Sequence, residues 1–115
     1  LRFVLIEAGF AWLAALAWRL DRNWKRLKAE VPHVKRLPSE IIREHIWIST
    51  QPMEEPEQPG DLADVLDWIG PDRIVFASDY PHWDFDDPLI AVPPSLGEQR
   101  RRRILSENAK ALYGF

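Results

Sequence analysis

Hydrophobic period switches back and forth along this chain, and that switching restricts the folds open to it. Three short apolar runs, Leu1–Ile6, Trp47–Thr50 and Arg73–Ala77, are too brief for helices and lie near turn residues, so they read as strands. Between them the apolar residues recur at three- and four-residue steps. From Phe10 to about Glu30, Trp12, Leu13, Leu16, Leu20, Trp24 and Leu27 form one stripe, while Arg19, Arg22, Lys25, Arg26 and Lys28 fall largely opposite. That pattern predicts an amphipathic helix with its apolar face on a core, ended by Val31-Pro32. Pro38–Glu44 reads as a short helix. Leu62–Ile69 reads as another, capped by Asp61 and stopped by Gly70-Pro71, and Leu96–Leu105 and Glu107–Tyr113 close the chain as helices.

Strands alternating with helices require crossover connections, hence a parallel sheet covered by helices and an α/β class. Three strands make a thin sheet with two open edges. A partial (β/α)8 barrel whose other strands lie upstream satisfies those edges best, given that a whole barrel takes about 250 residues. An apolar strand starting at Leu1 points the same way, so residues 1–115 are expected to be the C-terminal portion of one barrel domain. In isolation, exposed parallel edges predict aggregation or a homodimer.

Composition narrows the classes further. With 46% hydrophobic and 29% charged residues the chain is globular. It has no cysteine, which excludes a disulfide framework and any thiolate metal site, and fits a cytoplasmic location. A net charge of −3 gives no general attraction to nucleic acid, and the basic run Arg100–Arg103 lacks aromatic interleaving, so it reads as a solvated helix face. Leu1–Leu20 is broken by Arg2, Glu7 and Arg19, which rules it out as a membrane span.

The segment Ile74-Val-Phe-Ala-Ser-Asp-Tyr-Pro-His-Trp-Asp84 points most directly at chemistry. A buried run stops at an acid, and the C-terminal ends of parallel strands are where α/β enzymes mount reacting groups. Glu7 follows the first run in the same way. Two carboxylates on one rim can hold a divalent metal or divide acid and base roles. Glu7 also fits a second role, as an acid facing the dipole of the next helix, and Asp79 that of a turn residue before Tyr80-Pro81. His82 is placed to hydrogen-bond a substrate or orient Asp79, or is a plain loop residue. Gln51 is a weaker candidate for substrate contact at the same rim. Trp83 and the Tyr80–Pro94 loop are expected either to wall a pocket or simply to pack.

Leu1–Gly9, the helix Trp18-Arg-Leu-Asp-Arg-Asn-Trp24, the box Phe76-Ala-Ser-Asp-Tyr-Pro-His-Trp-Asp84 and the ending Asn108-Ala-Lys-Ala-Leu-Tyr-Gly114 together resemble the C-terminal part of the amidohydrolase-related family. That family includes aminocarboxymuconate-semialdehyde decarboxylase and related metal-dependent hydrolases. The resemblance implies a TIM barrel with a divalent metal, Zn2+ being the expected ion, at its C-terminal mouth. It implies that Asp79 is metal ligand and proton acceptor, with Glu7 a second ligand acid, and His82 a substrate or orienting group. The family's paired metal-binding histidines come from a first strand that this chain lacks. Family decarboxylases usually carry histidines where Glu7 stands and near Asp21 or Arg22, which makes Asp21 and Arg22 substrate-contact candidates.

The expected function is therefore metal-dependent hydrolysis of a small organic substrate. The alternatives are a carboxy-lyase of the same family or a non-catalytic truncated half-barrel. The 115-residue chain alone is expected to be inactive and to retain little metal.

Overall fold

A computed structural model describes all of residues 1–115. The elements run β1 (Phe3–Leu5), α1 (Ala11–Leu27), α2 (Pro38–His45), β2 (Ile46–Ser49), α3 (Pro59–Ile69) and β3 (Ile74–Val75). A 3₁₀ turn at Pro94–Leu96 then leads into α4 (Glu98–Arg102), a π turn (Arg103–Glu107) and α5 (Asn108–Tyr113). The strands form one parallel sheet in the order β1-β2-β3, with Leu5 beside Ile48 and Ile48 beside Ile74. The α/β, parallel architecture expected from the period switches is the one present.

β1 and β3 are shorter than their apolar runs, while β2 keeps its length shifted by one residue, and for β3 the reason is identifiable. The β2–β3 ladder continues through Ile48 N–H to Arg73 O at 3.0 Å and Thr50 N–H to Val75 O at 2.9 Å. Beyond Val75 the donors go elsewhere. Phe76 N–H donates to the Ile104 carbonyl at 3.0 Å, inside the π turn, and Ala77 N–H donates to the Thr50 hydroxyl. Backbone pairing thus stops two residues early while every polar group named here keeps a partner.

A core of Phe10, Leu13, Ile48, Leu62, Leu66, Ile69, Ile74, Val92, Leu96 and Ile104 lies between the sheet and its helices. The stripe on α1 is only partly on that core. Leu13, Ala14 and Ala17 are buried, whereas Trp12, Leu16, Trp18, Leu20 and Leu27 stay exposed. β1 corrects the expectation of a buried strand in the same way: with a neighbour on one side only, its Phe3 is 51% exposed and Ile6 63%. Trp18 instead packs edge-on against Trp68, with Arg43 over the far ring.

Two capping expectations change. α3 begins at Pro59 with Gln58 at its N-cap, so Asp61 lies inside the first turn as a dipole partner rather than as the cap. α1 has no acid in its own first turn and no side-chain cap at Phe10. Glu54, far along the chain, supplies the anion: its Oε1 accepts from Phe10 N–H at 3.1 Å and Ala11 N–H at 3.2 Å. Gly9 makes room for it, since a Cβ there would stand 2.9 Å from Glu54 Oε1 and the residue sits at φ +60°. The basic run is also less free than its composition suggests. Arg100 pairs with Asp67, Arg101 Nε donates to Val92 O at 2.8 Å, and Arg102 pairs with Glu107 at 2.7 Å.

At the N-terminal end of the sheet, the guanidinium groups of Arg73 and Arg2 both lie over the Trp47 ring, 4.3 Å and 5.7 Å from its centroid. Asn108 fastens the last helix to that end, donating from Nδ2 to Pro71 O at 2.8 Å and to Ile74 O at 2.7 Å. Asn108→Ala leaves both carbonyls without this partner and is expected to cost about 1–3 kcal/mol. Urea unfolding followed by tryptophan fluorescence measures it, and an unchanged midpoint would contradict the role.

Candidate metal centre

Because β1, β2 and β3 are parallel, their C-terminal ends open on one rim, and the two acids that follow β1 and β3 meet there. One ligand atom each from Glu7, Asp79 and His82 lies within 4.8 Å of the others. Both acids sit in the left-handed region, Glu7 at φ 54° and Asp79 at φ 59°. Such a conformation costs about 1–3 kcal/mol at a non-glycine residue and persists only where its surroundings enforce it.

Those surroundings are visible. Glu7 N–H donates to Ser49 Oγ at 3.3 Å, just past the end of β1. Ala77 N–H donates to Thr50 Oγ1 at 3.3 Å, two residues before Asp79. A turn then closes from Asp79 O to His82 N–H at 2.9 Å and swings the imidazole back. His82 Nδ1 reaches Asp79 Oδ2 at 2.7 Å. An ionised carboxylate only accepts, so Nδ1 carries the proton in this pair and Nε2 is left for another partner. Asp79 is the most enclosed of the three, its side chain 19% exposed against 65% for His82.

Two hard carboxylate oxygens and an imidazole suit a borderline divalent ion such as Zn2+. Donors at about 2.0–2.2 Å from one ion stand no more than about 4.4 Å apart. The ligand atoms lie within 4.8 Å of one another, close to that span, and Glu7 and His82 are both exposed and free to adjust. The residues present fit a metal ion.

Other candidates lie apart from this group. Asp21 is ten residues into α1, about 15 Å along the helix from its rim end. Its Oδ1 accepts from Ser39 N–H at 2.8 Å, which fastens the N-terminus of α2. Arg22 lines a shallow surface depression with Trp18, Asp21, Lys25 and Arg26. Gln51 stands at the rim end of β2 but is buried, with no hydrogen bond to the cluster. Trp83 is 94% exposed.

The second half of the Tyr80–Pro94 loop does wall a cavity, of about 580 Å³, between Phe85–Asp87 with Ile90–Ala91 and the Met53–Pro56 segment. None of Glu7, Asp79 and His82 lines it. Asp86, which faces it, was not singled out by its sequence context. Its backbone N–H donates to Ser78 O at 2.8 Å, beside Asp79, yet its Oδ2 is enclosed and has no hydrogen-bond partner. Burial pushes the Asp86 carboxyl above its ordinary range; the Met53 backbone pulls it back, and the charges of Glu55 and Asp84 push it up again. A carboxyl whose pKa is higher folded than unfolded supports folding fully when protonated in both states, and that support is lost as pH rises through the folded value. Asp86→Asn is therefore expected to raise the thermal midpoint at about pH 7, with the gain over wild type shrinking toward about pH 3. A gain that instead grows on acidification would refute the assignment.

Comparison with known proteins accords with this arrangement. A family model described as "Amidohydrolase" matches the chain over residues 1–115. No curated protein matches it. Among solved structures, the amidohydrolase map2389c of Mycobacterium avium subsp. paratuberculosis K-10 is similar at 29% sequence identity with a TM-score of 0.69, over 100% of this chain. The chain spans 28% of that protein's length, and its strands and helices are those of part of a TIM barrel. Matched from end to end by the family model, with paired acids on one rim of a parallel sheet, the chain belongs to the amidohydrolase family.

Proposed function

We propose that the chain supplies one side of the metal centre of a metal-dependent hydrolase acting on a small organic substrate, as the C-terminal portion of its barrel domain. The observation that carries this reading is the convergence of Glu7, Asp79 and His82 at the strand C-termini of an amidohydrolase-family chain. Glu7 and Asp79 are the residues that would hold a divalent ion, with the His82 imidazole beside them. When bound, such an ion supplies Lewis-acid polarisation and a water that ionises near neutral pH.

The chain's own groups then divide the work. Asp79, strained and partly enclosed, accepts the proton of the attacking water; its Oδ2 is steered by His82 Nδ1–H. His82 holds that carboxylate in orientation and presents Nε2 to the substrate. Glu7 adds a second negative charge at the rim and balances the ion. Residues outside this chain would complete the ligand set.

Asp79→Asn keeps the shape of the side chain and removes its charge. It is expected to weaken Zn2+ binding at least as much as the roughly 10–100-fold that losing an outer-shell partner costs, while leaving the thermal midpoint near wild type. Isothermal titration with Zn2+ reads the affinity, and in the complete enzyme Asp79→Ala abolishes turnover. Zn2+ affinity in Asp79→Asn equal to that of wild type would remove the reading.

A further inference from the structure

β2 ends at Ser49 and is followed by Thr50, two hydroxyl residues that are almost wholly enclosed, at 1% and 0% exposure. At such sites an aliphatic residue packs at no polar cost, and the neighbouring apolar positions Ile48 and Ile74 are filled in that way. The hydroxyls point in opposite directions along the sheet, one to each flanking strand. Ser49 Oγ–H donates to Gln51 O at 3.2 Å, which turns the oxygen lone pairs toward Glu7 N–H. Thr50 is held by its own backbone N–H on Val75 O, and its Oγ1 receives Ala77 N–H. Each therefore replaces one missing rung of the ladder, at the point where a flanking strand leaves the sheet for its left-handed acid.

We propose that Ser49 and Thr50 are positioning residues: their hydroxyls hold the backbone at Glu7 and at Ala77, so that the carboxylates of Glu7 and Asp79 face one point. The proposal rests on the metal-centre reading for its functional consequence, and on the two hydrogen bonds alone for its geometry. Loss of either hydroxyl frees one acid to relax out of the left-handed region, so cation binding suffers beyond any effect on folding.

The test uses the purified chain with Co2+ as the probe, titrated to millimolar concentration and followed by NMR at His82 and its neighbours. Ser49→Ala and Thr50→Val are each expected to weaken Co2+ binding about fivefold, the scale of one lost hydrogen bond. Thr50→Ser, which retains the hydroxyl, stays within about twofold of wild type by the same measure. Asn108→Ala serves as the control, because it removes one buried and one part-buried hydrogen bond at the other end of the sheet. It lowers the thermal midpoint and leaves Co2+ affinity unchanged. Wild-type affinity in Ser49→Ala and Thr50→Val overturns the proposal, and so does an equal loss in Asn108→Ala. Should the 115-residue chain, which carries only part of the ligand set, show no Co2+ response, the metal-centre reading is decided by Asp79→Ala in the complete enzyme, and three-bond scalar couplings at Glu7 and Asp79 decide the positioning role. Couplings that move away from positive φ in Ser49→Ala and Thr50→Val support it, and couplings identical to wild type overturn it.

Discussion

Everything at the rim of this molecule depends on the middle strand. β2 pairs with β1 on one side and β3 on the other, and within three residues it changes from core to polar support. Ile48 is fully buried beside Ile74 and anchors the apolar interior. Ser49 and Thr50 then extend the pairing by side chain where the backbone ladder gives out. A hydroxyl can serve a neighbouring strand that has already begun to turn, which a rigid peptide carbonyl cannot follow. The strands can leave the sheet at once, with the Glu7 and Ala77 amides still paired.

The departure places strain at the candidate metal centre. Glu7 and Asp79 both hold positive φ, a conformation that L residues with a Cβ adopt at a cost. Asp tolerates it better than Glu, because its short side chain can bond locally, here to His82. Further support comes from the loops behind. The Glu54 carboxylate locks the first turn of α1, two residues past Gly9, and Asp86 N–H holds the Ser78 carbonyl. The enclosed oxygen of Asp86 is a cost set against stability in that same loop. Such concentration of strain and unpaired polarity at one rim is the usual signature of a working site.

The opposite end of the sheet is built for a different purpose. There Arg2 and Arg73 lie over the Trp47 ring, and Asn108 satisfies the Pro71 and Ile74 carbonyls. No strained backbone residue lies at that end apart from glycine. Barrel enzymes separate stability at the N-terminal face from chemistry at the C-terminal face, and this chain, spanning 28% of a family member's length, sets its strained acids and its Arg–Trp and Asn108 contacts at opposite ends of the sheet.

Much of this was legible in residue order alone. Period switching implied strand–helix alternation, and alternation implies parallel strands, which forces Glu7 and Asp79 onto one rim whatever the details. The Asp79-Tyr-Pro-His82 spacing likewise placed an imidazole within one turn of a carboxylate, a local relation that chain geometry dictates. Other features had no local signal. Whether Leu16 and Trp12 were buried depended on which neighbours α1 met, and strand length depended on which partners took the Phe76 and Ala77 amides. The roles of Ser49, Thr50, Glu54 and Asp21 were also decided by residues far away along the chain. Periodicity and turn chemistry act between near neighbours and survive in sequence. A hydrogen bond across the sheet, or the enclosure of one carboxylate oxygen, exists only once distant segments are packed together.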